Sequence, residues 1–167
     1  GIIQIHIDPR AGGHNGREGL DMIYRNLTVN EVKDFCSWAE WLMEKPYVQD
    51  EKIGVEGFSF GGTMTCMLLM QAPDKFHYGI AGGGVYDWDL YDTHYTERYM
   101  DTPQNNPDGY KVSKVLNYVD SYPVDYESDD SVMLKITHGT GDDNVHHQNT
   151  LQFIDRLHQK GKKFDFM

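Results

Sequence analysis

The segment at residues 57–62, Gly-Phe-Ser-Phe-Gly-Gly, constrains this chain more than any other. It has the pattern Gly-x-Ser-x-Gly, with an apolar run before it at residues 53–55 and a run of helix length after it at residues 63–70. Between a strand and a helix this pattern places the serine on a tight turn, with its hydroxyl exposed to a substrate. The N–H groups of the following helix then face the charge that develops during nucleophilic attack. By chance about one chain in twenty of this length would contain the pattern, so the other residues decide whether Ser59 is a nucleophile.

Length and charge limit the classes of protein to be considered. The 167 residues are 39% hydrophobic and 13% aromatic, which predicts one folded domain with a substantial core. The formal net charge is -11 and no basic cluster stands out, which argues against binding to nucleic acid or to an anionic membrane surface. Cys36 and Cys66 form no metal or redox motif and are predicted to be free, buried thiols. No metal ion or organic cofactor is expected.

Apolar and β-branched runs alternate with segments of helical periodicity. Strands are predicted at residues 2–7, 52–56, 78–81, 132–137 and 164–167. A Thr28-x-x-Glu31 capping box is predicted to open a helix that continues through residue 42. Further helices are predicted at residues 63–70, 112–118 and 145–159, the last of them stopped by Gly161. The alternation predicts an α/β fold with a mostly parallel sheet and helices on both faces, incomplete at both ends.

Three segments do not fit this alternation. Residues 8–16 are rich in Gly but lack the spacing of a phosphate-binding loop, which favours a structural or substrate-lining role. Residues 85–100 are dense in Trp and Tyr, in a pattern typical of neither a strand nor a strongly amphipathic helix. Residues 120–130 are acidic, and a solvated surface loop is expected there.

A serine nucleophile needs a histidine to take its proton and a carboxylate to hold that histidine. Asp142 and Asp143 follow the strand predicted at residues 132–137, as Ser59 follows the one at 52–56, so both lie at carboxyl ends of strands. An ordinary surface turn is the alternative interpretation of the Gly-Asp-Asp-Asn run.

The expected order of a hydrolase triad is serine, acid, histidine. His146 and His147 lie in the same turn as the acid, and His158 lies about 20 Å farther along a helix. None of the three is placed as a base, which leads us to expect the catalytic histidine beyond residue 167.

Three segments together resemble one enzyme family. They are residues 57–62, the run Tyr-Thr-Glu-Arg-Tyr-Met at 95–100, and the run His-Gly-Thr-Gly-Asp-Asp-Asn-Val at 138–145. In this order and approximate spacing they are similar to the dipeptidyl peptidase IV branch of the prolyl oligopeptidase family of serine peptidases. The resemblance implies that residues 1–167 form part of an α/β-hydrolase catalytic domain, and that an N-terminal β-propeller and the extreme C terminus lie outside them.

The resemblance also assigns roles to individual residues. It implies that Ser59 is the nucleophile, that Asp142 is the triad acid and that the backbone N–H of Phe60 is one oxyanion donor. A second donor, a tyrosine hydroxyl, would come from a segment before residue 1. The implied substrate pocket suits proline and consists of Val85, Trp88, Tyr91, Tyr95, Asn144 and Val145. Pro9 and Ala11 depart from the family's usual loop sequence, which puts the shape of the loop at residues 8–16 in question.

The function implied by the resemblance is an aminopeptidase reaction. The enzyme would release Xaa-Pro or Xaa-Ala dipeptides through an acyl-enzyme on Ser59, from peptides with Pro or Ala at the penultimate position. The chain alone is expected to be inactive, because the base would lie outside it. Two alternatives remain: an esterase of the same fold, and a non-catalytic accessory relative. Members of this family often dimerise through this domain, so a homodimer is compatible with the resemblance. The resemblance does not decide whether the parent protein is periplasmic, secreted or anchored in a membrane.

Overall fold

A four-stranded parallel sheet forms the centre of the structure, a computed structural model that describes residues 1–125 and 133–167. The strands lie side by side in chain order, each parallel to its neighbours. They are β1 (Gly54–Phe58), β2 (Tyr78–Gly82), β3 (Met133–Thr137) and β4 (Asp165–Phe166). The predicted α/β fold with a parallel sheet is therefore confirmed.

Helical segments connect these strands. The α-helices are α1 (Gly16–Asp21), α2 (Val29–Met43), α3 (Phe60–Gln71), α4 (Thr93–Met100), α5 (Pro107–Ser113) and α6 (Gln148–Gln159). Short 3₁₀ helices occur at Gly13–Asn15, Asp50–Lys52, Trp88–Leu90 and Val115–Ser121. Gly161 has a φ of 64° directly after α6, as expected of a residue that stops a helix.

Several local predictions were wrong. Residues 2–7 form no strand: they lie outside regular structure, with Ile2 98% exposed. The helix predicted at 112–118 is divided between α5 and a 3₁₀ helix, and that predicted at 145–159 begins only at Gln148. Conversely, the aromatic segment contains a helix that periodicity did not reveal, α4, capped by Asp92, whose carboxylate accepts a hydrogen bond from the N–H of Tyr95 at 2.8 Å.

The capping box predicted at Thr28 does not form. Thr28 has a left-handed backbone with φ of 74°, and its buried Oγ1 has no hydrogen-bond partner among the described residues. An N-cap side chain needs an extended backbone to reach the N–H groups of the first turn. The helix begins nevertheless at Val29, because its inward face, including Val32 and Ala39, packs into the core.

Helix α3 lies at the centre of the core. Residues 62–70 are all buried, which agrees with the expectation that this helix is enclosed on several sides. Its Leu69 packs directly over Gly79 of β2, where a Cβ atom would lie 3.0 Å from Thr65 and closer still to Leu69. The small residue in β2 therefore lets the helix approach the sheet.

The two faces of the sheet differ in burial. Ala81, Leu134 and Ile136 point into one cluster with residues of α2, α3 and α6. On the opposite face Tyr78, Ile80 and Met133 are 38–48% exposed. Helical cover on both faces was predicted, but the described helices that share this core lie on one face.

Residues 126–130 of the predicted acidic loop lie outside the described residues. Within the described part, Asp120 pairs with Lys160 at 2.7 Å and with Arg156 at 3.6 Å, both on or next to α6. Both cysteines are free, Cys66 fully buried and Cys36 partly buried. None of the described helices is long and apolar enough to cross a membrane.

The first prediction concerns the core between α3 and β2. Replacing the fully buried Leu69 with Ala should lower the free energy of unfolding by about 2–5 kcal/mol, the loss typical of a cavity in a packed core. Leu151→Ala on α6, where the side chain is 52% exposed, is the matched control and should change it by no more than about 0.5 kcal/mol. Urea unfolding followed by circular dichroism measures both. Equal losses would show that α3 is not the centre of the core.

Candidate active site

Ser59 lies on a strained turn between β1 and α3. Its φ of 58° and ψ of -120° are rare for a residue with a side chain. Its N–H donates a hydrogen bond to the carbonyl of Gly82 at 2.8 Å, across to the end of β2. The turn is therefore held by the neighbouring strand and not by its own residues alone.

The glycines of the motif serve different purposes. A Cβ at residue 57 would lie 2.5 Å from the carbonyl oxygen of Gly61 and 2.6 Å from its Cα, and one at residue 62 would lie 2.6 Å from the carbonyl oxygen of Gly82. A Cβ at Gly61 would meet no atom within 4 Å. Gly57 and Gly62 are thus required by close backbone approach, whereas Gly61 is not.

Phe60 connects the turn to an aromatic cluster, which consists of the rings of Trp88, Tyr91 and Tyr95. It is the first residue of α3, where a backbone N–H has no partner within the helix and faces outward with the positive end of the helix dipole. Its ring lies 6.1 Å from that of Trp88. One residue therefore combines a donor beside Ser59 with a wall of the adjoining apolar region.

Strand register brings Asp142 to the same edge. Phe58, Gly82 and Thr137 are register partners at the carboxyl ends of β1, β2 and β3. The Asp142 Oδ2 lies 3.6 Å from the position of a Cβ on Gly83, the residue after Gly82. Ser59 and Asp142 thus lie at the same edge of the sheet, after the carboxyl ends of β1 and β3, with the end of β2 between them.

Backbone and side-chain contacts fix the Asp142 carboxylate. Its Oδ1 accepts hydrogen bonds from the N–H groups of Asn144 and Val145, both at 3.0 Å. Its Oδ2 lies 3.3 Å from Nε2 of His138. Asp143, by contrast, is exposed. The first aspartate of the pair is therefore the one whose carboxylate these contacts hold in place.

His138 is a residue of the site to which sequence reasoning gave no role, although it opens the motif at 138–145. Its side chain is fully buried. Its Nδ1 lies 2.5 Å from Oγ1 of Thr150, and its Nε2 lies 2.8 Å from the carbonyl oxygen of Val145. Residues 138–145 form the Asp142 loop. Because both of its ring nitrogens are engaged, His138 connects the start of this loop to its end and to α6.

No described histidine forms a hydrogen bond with Ser59. His146 accepts at Nδ1 from the N–H of Gln148, and His158 packs its ring 5.0 Å from that of Phe164. The ring of His147 lies 5.2 Å from His138 and 6.2 Å from Phe166. Within the described residues, these contacts direct the three histidines that follow Asp142 toward other groups.

The six residues of the implied substrate pocket come together. The Trp88 ring lies 6.0 Å from Tyr95 and 6.1 Å from Tyr91, and the two tyrosine rings are 5.4 Å apart. Val85 and Val145 are buried in the same cluster. Tyr91 donates its hydroxyl hydrogen bond to Oδ1 of Asn144 at 2.8 Å, which joins the cluster to the Asp142 loop.

Burial makes the tyrosines of this cluster harder to ionise. It raises the pKa of Tyr95 to about 12, and it is also the main cause that raises the pKa of Tyr91. Both phenols are therefore neutral at physiological pH. The cluster offers flat apolar walls with neutral hydroxyl groups at their edges. Among the described residues, no group of acidic, histidine or cysteine side chains is arranged to hold a metal ion.

The loop at residues 8–16 is anchored to α2 despite Pro9 and Ala11. Arg10 donates from its backbone N–H to Asp34 at 2.8 Å and from Nε at 3.0 Å. The Gly12 N–H closes a tight turn on the carbonyl of Pro9 at 2.6 Å. In this position the loop lies beside Phe60 and Tyr95, and residues of the loop line a cavity together with them.

Comparison with known proteins places this geometry among peptidases. A model of the prolyl oligopeptidase family matches residues 1–167. A "probable dipeptidyl-aminopeptidase B" of Talaromyces marneffei is 41% identical over 162 residues, which are 96% of this chain and 17% of that protein. Its counterpart in Aspergillus oryzae is 42% identical over 163 residues, 94% of this chain and 17% of that protein. The crystal structure of Porphyromonas gingivalis dipeptidyl peptidase 4 superposes with a TM-score of 0.88 at 38% identity, covering 96% of this chain and 22% of that one.

The steric roles of the motif glycines give the second prediction. Gly57→Ala should lower the free energy of unfolding by about 1–3 kcal/mol, because backbone atoms of Gly61 cannot move aside. Gly61→Ala is the matched control and should be neutral or up to about 1 kcal/mol stabilising, since α3 gains a better helix former in open space. Urea unfolding of the two variants measures the difference. Equal destabilisation by both would contradict the packing described for the turn.

Proposed function

Because the chain belongs to the prolyl oligopeptidase family, we propose that it forms part of the catalytic domain of a dipeptidyl peptidase. The enzyme would release N-terminal Xaa-Pro or Xaa-Ala dipeptides by serine catalysis. The chain spans 17% of the length of the curated relatives described above, so the proposed activity is that of the complete gene product.

One observation carries the proposal: the strained serine and the aromatic cluster adjoin through Phe60. The scissile carbonyl would lie at Ser59, near the first N–H of α3. The side chain on its N-terminal side would then lie against Trp88, which stacks on Tyr95 at 6.0 Å. The residue after the proposed nucleophile thus has its side chain against the proposed pocket. An enzyme that is selective for the residue before the cleaved bond needs its nucleophile and its pocket this close together.

The cluster suits proline for physical reasons. A proline ring is compact and apolar, and it can be buried against aromatic rings without leaving a backbone N–H unsatisfied. The neutral hydroxyl groups of Tyr91 and Tyr95 add no charge that would have to be matched. Alanine is small enough to enter the same space but would fill less of it.

In the proposed reaction, Ser59 Oγ attacks the carbonyl while a histidine takes its proton. The N–H of Phe60 donates to the developing oxyanion, the amine departs with the proton from the histidine, and water hydrolyses the acyl-enzyme. Asp142 would orient the histidine. We assign the base to a histidine outside residues 1–167, because none of the described histidines forms a hydrogen bond with Ser59. A tyrosine hydroxyl from a preceding segment would supply the second oxyanion donor.

The third prediction tests the activity itself. The complete gene product should cleave Gly-Pro and Ala-Pro chromogenic amides, and Ser59→Ala should reduce kcat to the background rate. Residues 1–167 expressed alone should show no turnover, because the proposed base is outside them. Steady-state kinetics with and without the substitution measures each.

The possible results separate the proposal from its alternatives. Cleavage of short-chain esters without cleavage of Xaa-Pro amides would favour an esterase. No turnover of either substrate by the folded gene product would favour an accessory protein. Turnover by residues 1–167 alone would show that the base lies within them.

The fourth prediction distinguishes the two adjacent aspartates. Asp142→Asn should reduce kcat by about 10,000-fold, the loss seen when the acid no longer orients the triad histidine. Asp143→Asn is the matched control: its exposed side chain should affect kcat by no more than about twofold. Amide cleavage by the complete gene product measures both. The opposite order of effects would move the acid role to Asp143.

A further inference from the structure

A short segment outside regular structure carries the largest ring of the proposed substrate pocket. Residues 83–87 belong to no helix or strand, and Trp88 begins the 3₁₀ helix that follows them. Trp88 is 2% exposed, and its Nε1 has no hydrogen-bond partner among the described residues. Packing and the position of its own backbone therefore orient this ring. The groups that hold the backbone on either side of it decide the shape of the pocket.

Asn149 of α6 supplies hydrogen-bond partners to this segment. Its Oδ1 accepts hydrogen bonds from the N–H groups of Tyr86 at 3.1 Å and Asp87 at 3.2 Å. Its Nδ2 donates to the carbonyl oxygen of Leu90 at 3.3 Å. Buried backbone groups that have no partner in a helix or sheet depend on side chains in this way. One amide thus binds the chain both before and after Trp88.

The burial of Asn149 makes these bonds necessary. Asn149 is 0% exposed, like Phe153 and Leu157 farther along the same helix. An amide in such surroundings is stabilising only when its donors and acceptor are matched, whereas an apolar side chain needs no partner. An apolar residue could occupy the same volume but could not bind the segment at 86–90. The amide therefore serves the segment that carries Trp88.

The next residue of α6 serves a different part of the site. Thr150 is also fully buried, and its Oγ1 lies 2.5 Å from Nδ1 of His138. Nε2 of His138 lies in turn 3.3 Å from Asp142. The first turn of α6 thus contacts the segment of Trp88 through one side chain and the Asp142 loop through the next.

We propose that Asn149 is a positioning residue that determines the selectivity for proline over alanine before the cleaved bond. This inference rests on the proposed function. Asn149 is buried and touches no substrate, so it acts through the backbone of residues 86–90, which it fixes with the Trp88 ring in place. A proline ring uses this wall fully, whereas alanine fills less of the pocket and depends less on where the wall lies. Pocket walls confer selectivity only when a second set of residues holds them in place.

The fifth prediction tests this role by the selectivity of the complete gene product. Asn149→Ala should raise KM for a Gly-Pro amide by about tenfold and KM for the corresponding Gly-Ala amide by no more than about twofold, because the displaced wall costs the larger group more contact. The ratio of kcat/KM for the two amides should fall accordingly. A merely structural role would lower the amount of folded enzyme, which reduces kcat for both amides equally and leaves KM and the ratio unchanged. Steady-state kinetics measures both quantities.

Two control variants lie on the same helix. Thr150→Val removes a buried hydroxyl group one residue away, and it should leave the ratio unchanged because the partner of Thr150 is His138. Gln152→Ala changes an exposed side chain and should leave KM unchanged for both amides.

Hydrogen exchange provides a measurement that does not depend on catalysis. In the complete gene product, Asn149→Ala should accelerate exchange at residues 85–91 by about tenfold, the effect of losing about one net hydrogen bond, and leave that of α2 unchanged. Mass spectrometry of proteolytic peptides measures it. Asn149→Ser should act in the same direction and decides the matter if Asn149→Ala fails to fold, since a hydroxyl group is too short to replace all three hydrogen bonds.

The outcomes separate this inference from the function on which it rests. An unchanged ratio in the folded variants, an equal fall of the ratio in Thr150→Val, or unchanged exchange at residues 85–91 would each overturn the role of Asn149. If the folded wild type cleaves neither amide, the proposed function fails and the role in selectivity fails with it. The exchange measurement then still decides whether Asn149 holds the segment.

Discussion

The close passage of backbone between β1 and α3 is the constraint on which the rest of the structure depends. Gly57 lies against Gly61, and Gly62 lies against the end of β2, at distances that exclude a Cβ. These contacts force Ser59 into a positive φ, and the hydrogen bond to Gly82 holds it there. Because α3 is also the most enclosed helix, the turn cannot relax without disturbing the core. Core stability and the backbone conformation of Ser59 therefore have the same origin.

Strand register extends this constraint to the Asp142 loop. Since Phe58, Gly82 and Thr137 are partners, the residues that follow them emerge at one edge of the sheet. His138 then closes the loop by bonding to Val145, and Asn144 bonds to Tyr91 of the aromatic cluster. Asp142, Ser59 and the aromatic cluster are thus connected through hydrogen bonds of the backbone and of side chains. Such connections hold functional groups within the narrow limits that catalysis requires.

The residue patterns predicted much of this arrangement because they report local physical requirements. The strand–turn–helix context of Ser59 follows from apolar runs on either side of small residues, and the parallel sheet follows from alternation. Two failures have equally physical reasons. Residues 2–7 have the composition of a strand, but pairing needs a neighbouring strand, and composition does not supply one. Thr28 has a capping side chain, but its left-handed backbone places the hydroxyl group where it cannot cap α2.

The sequence by itself determined the fold class, the turn that carries Ser59, and the aromatic and acidic segments beside it, since each depends on residues close together in the chain. Only the tertiary structure decided which motif glycines are sterically required, that His138 holds the Asp142 loop, and that Glu31 is buried. Those properties depend on atoms from distant segments, such as the Gly82 carbonyl, Thr150 and Tyr95. A pattern along the chain records which side chains are present, whereas packing decides what each of them meets.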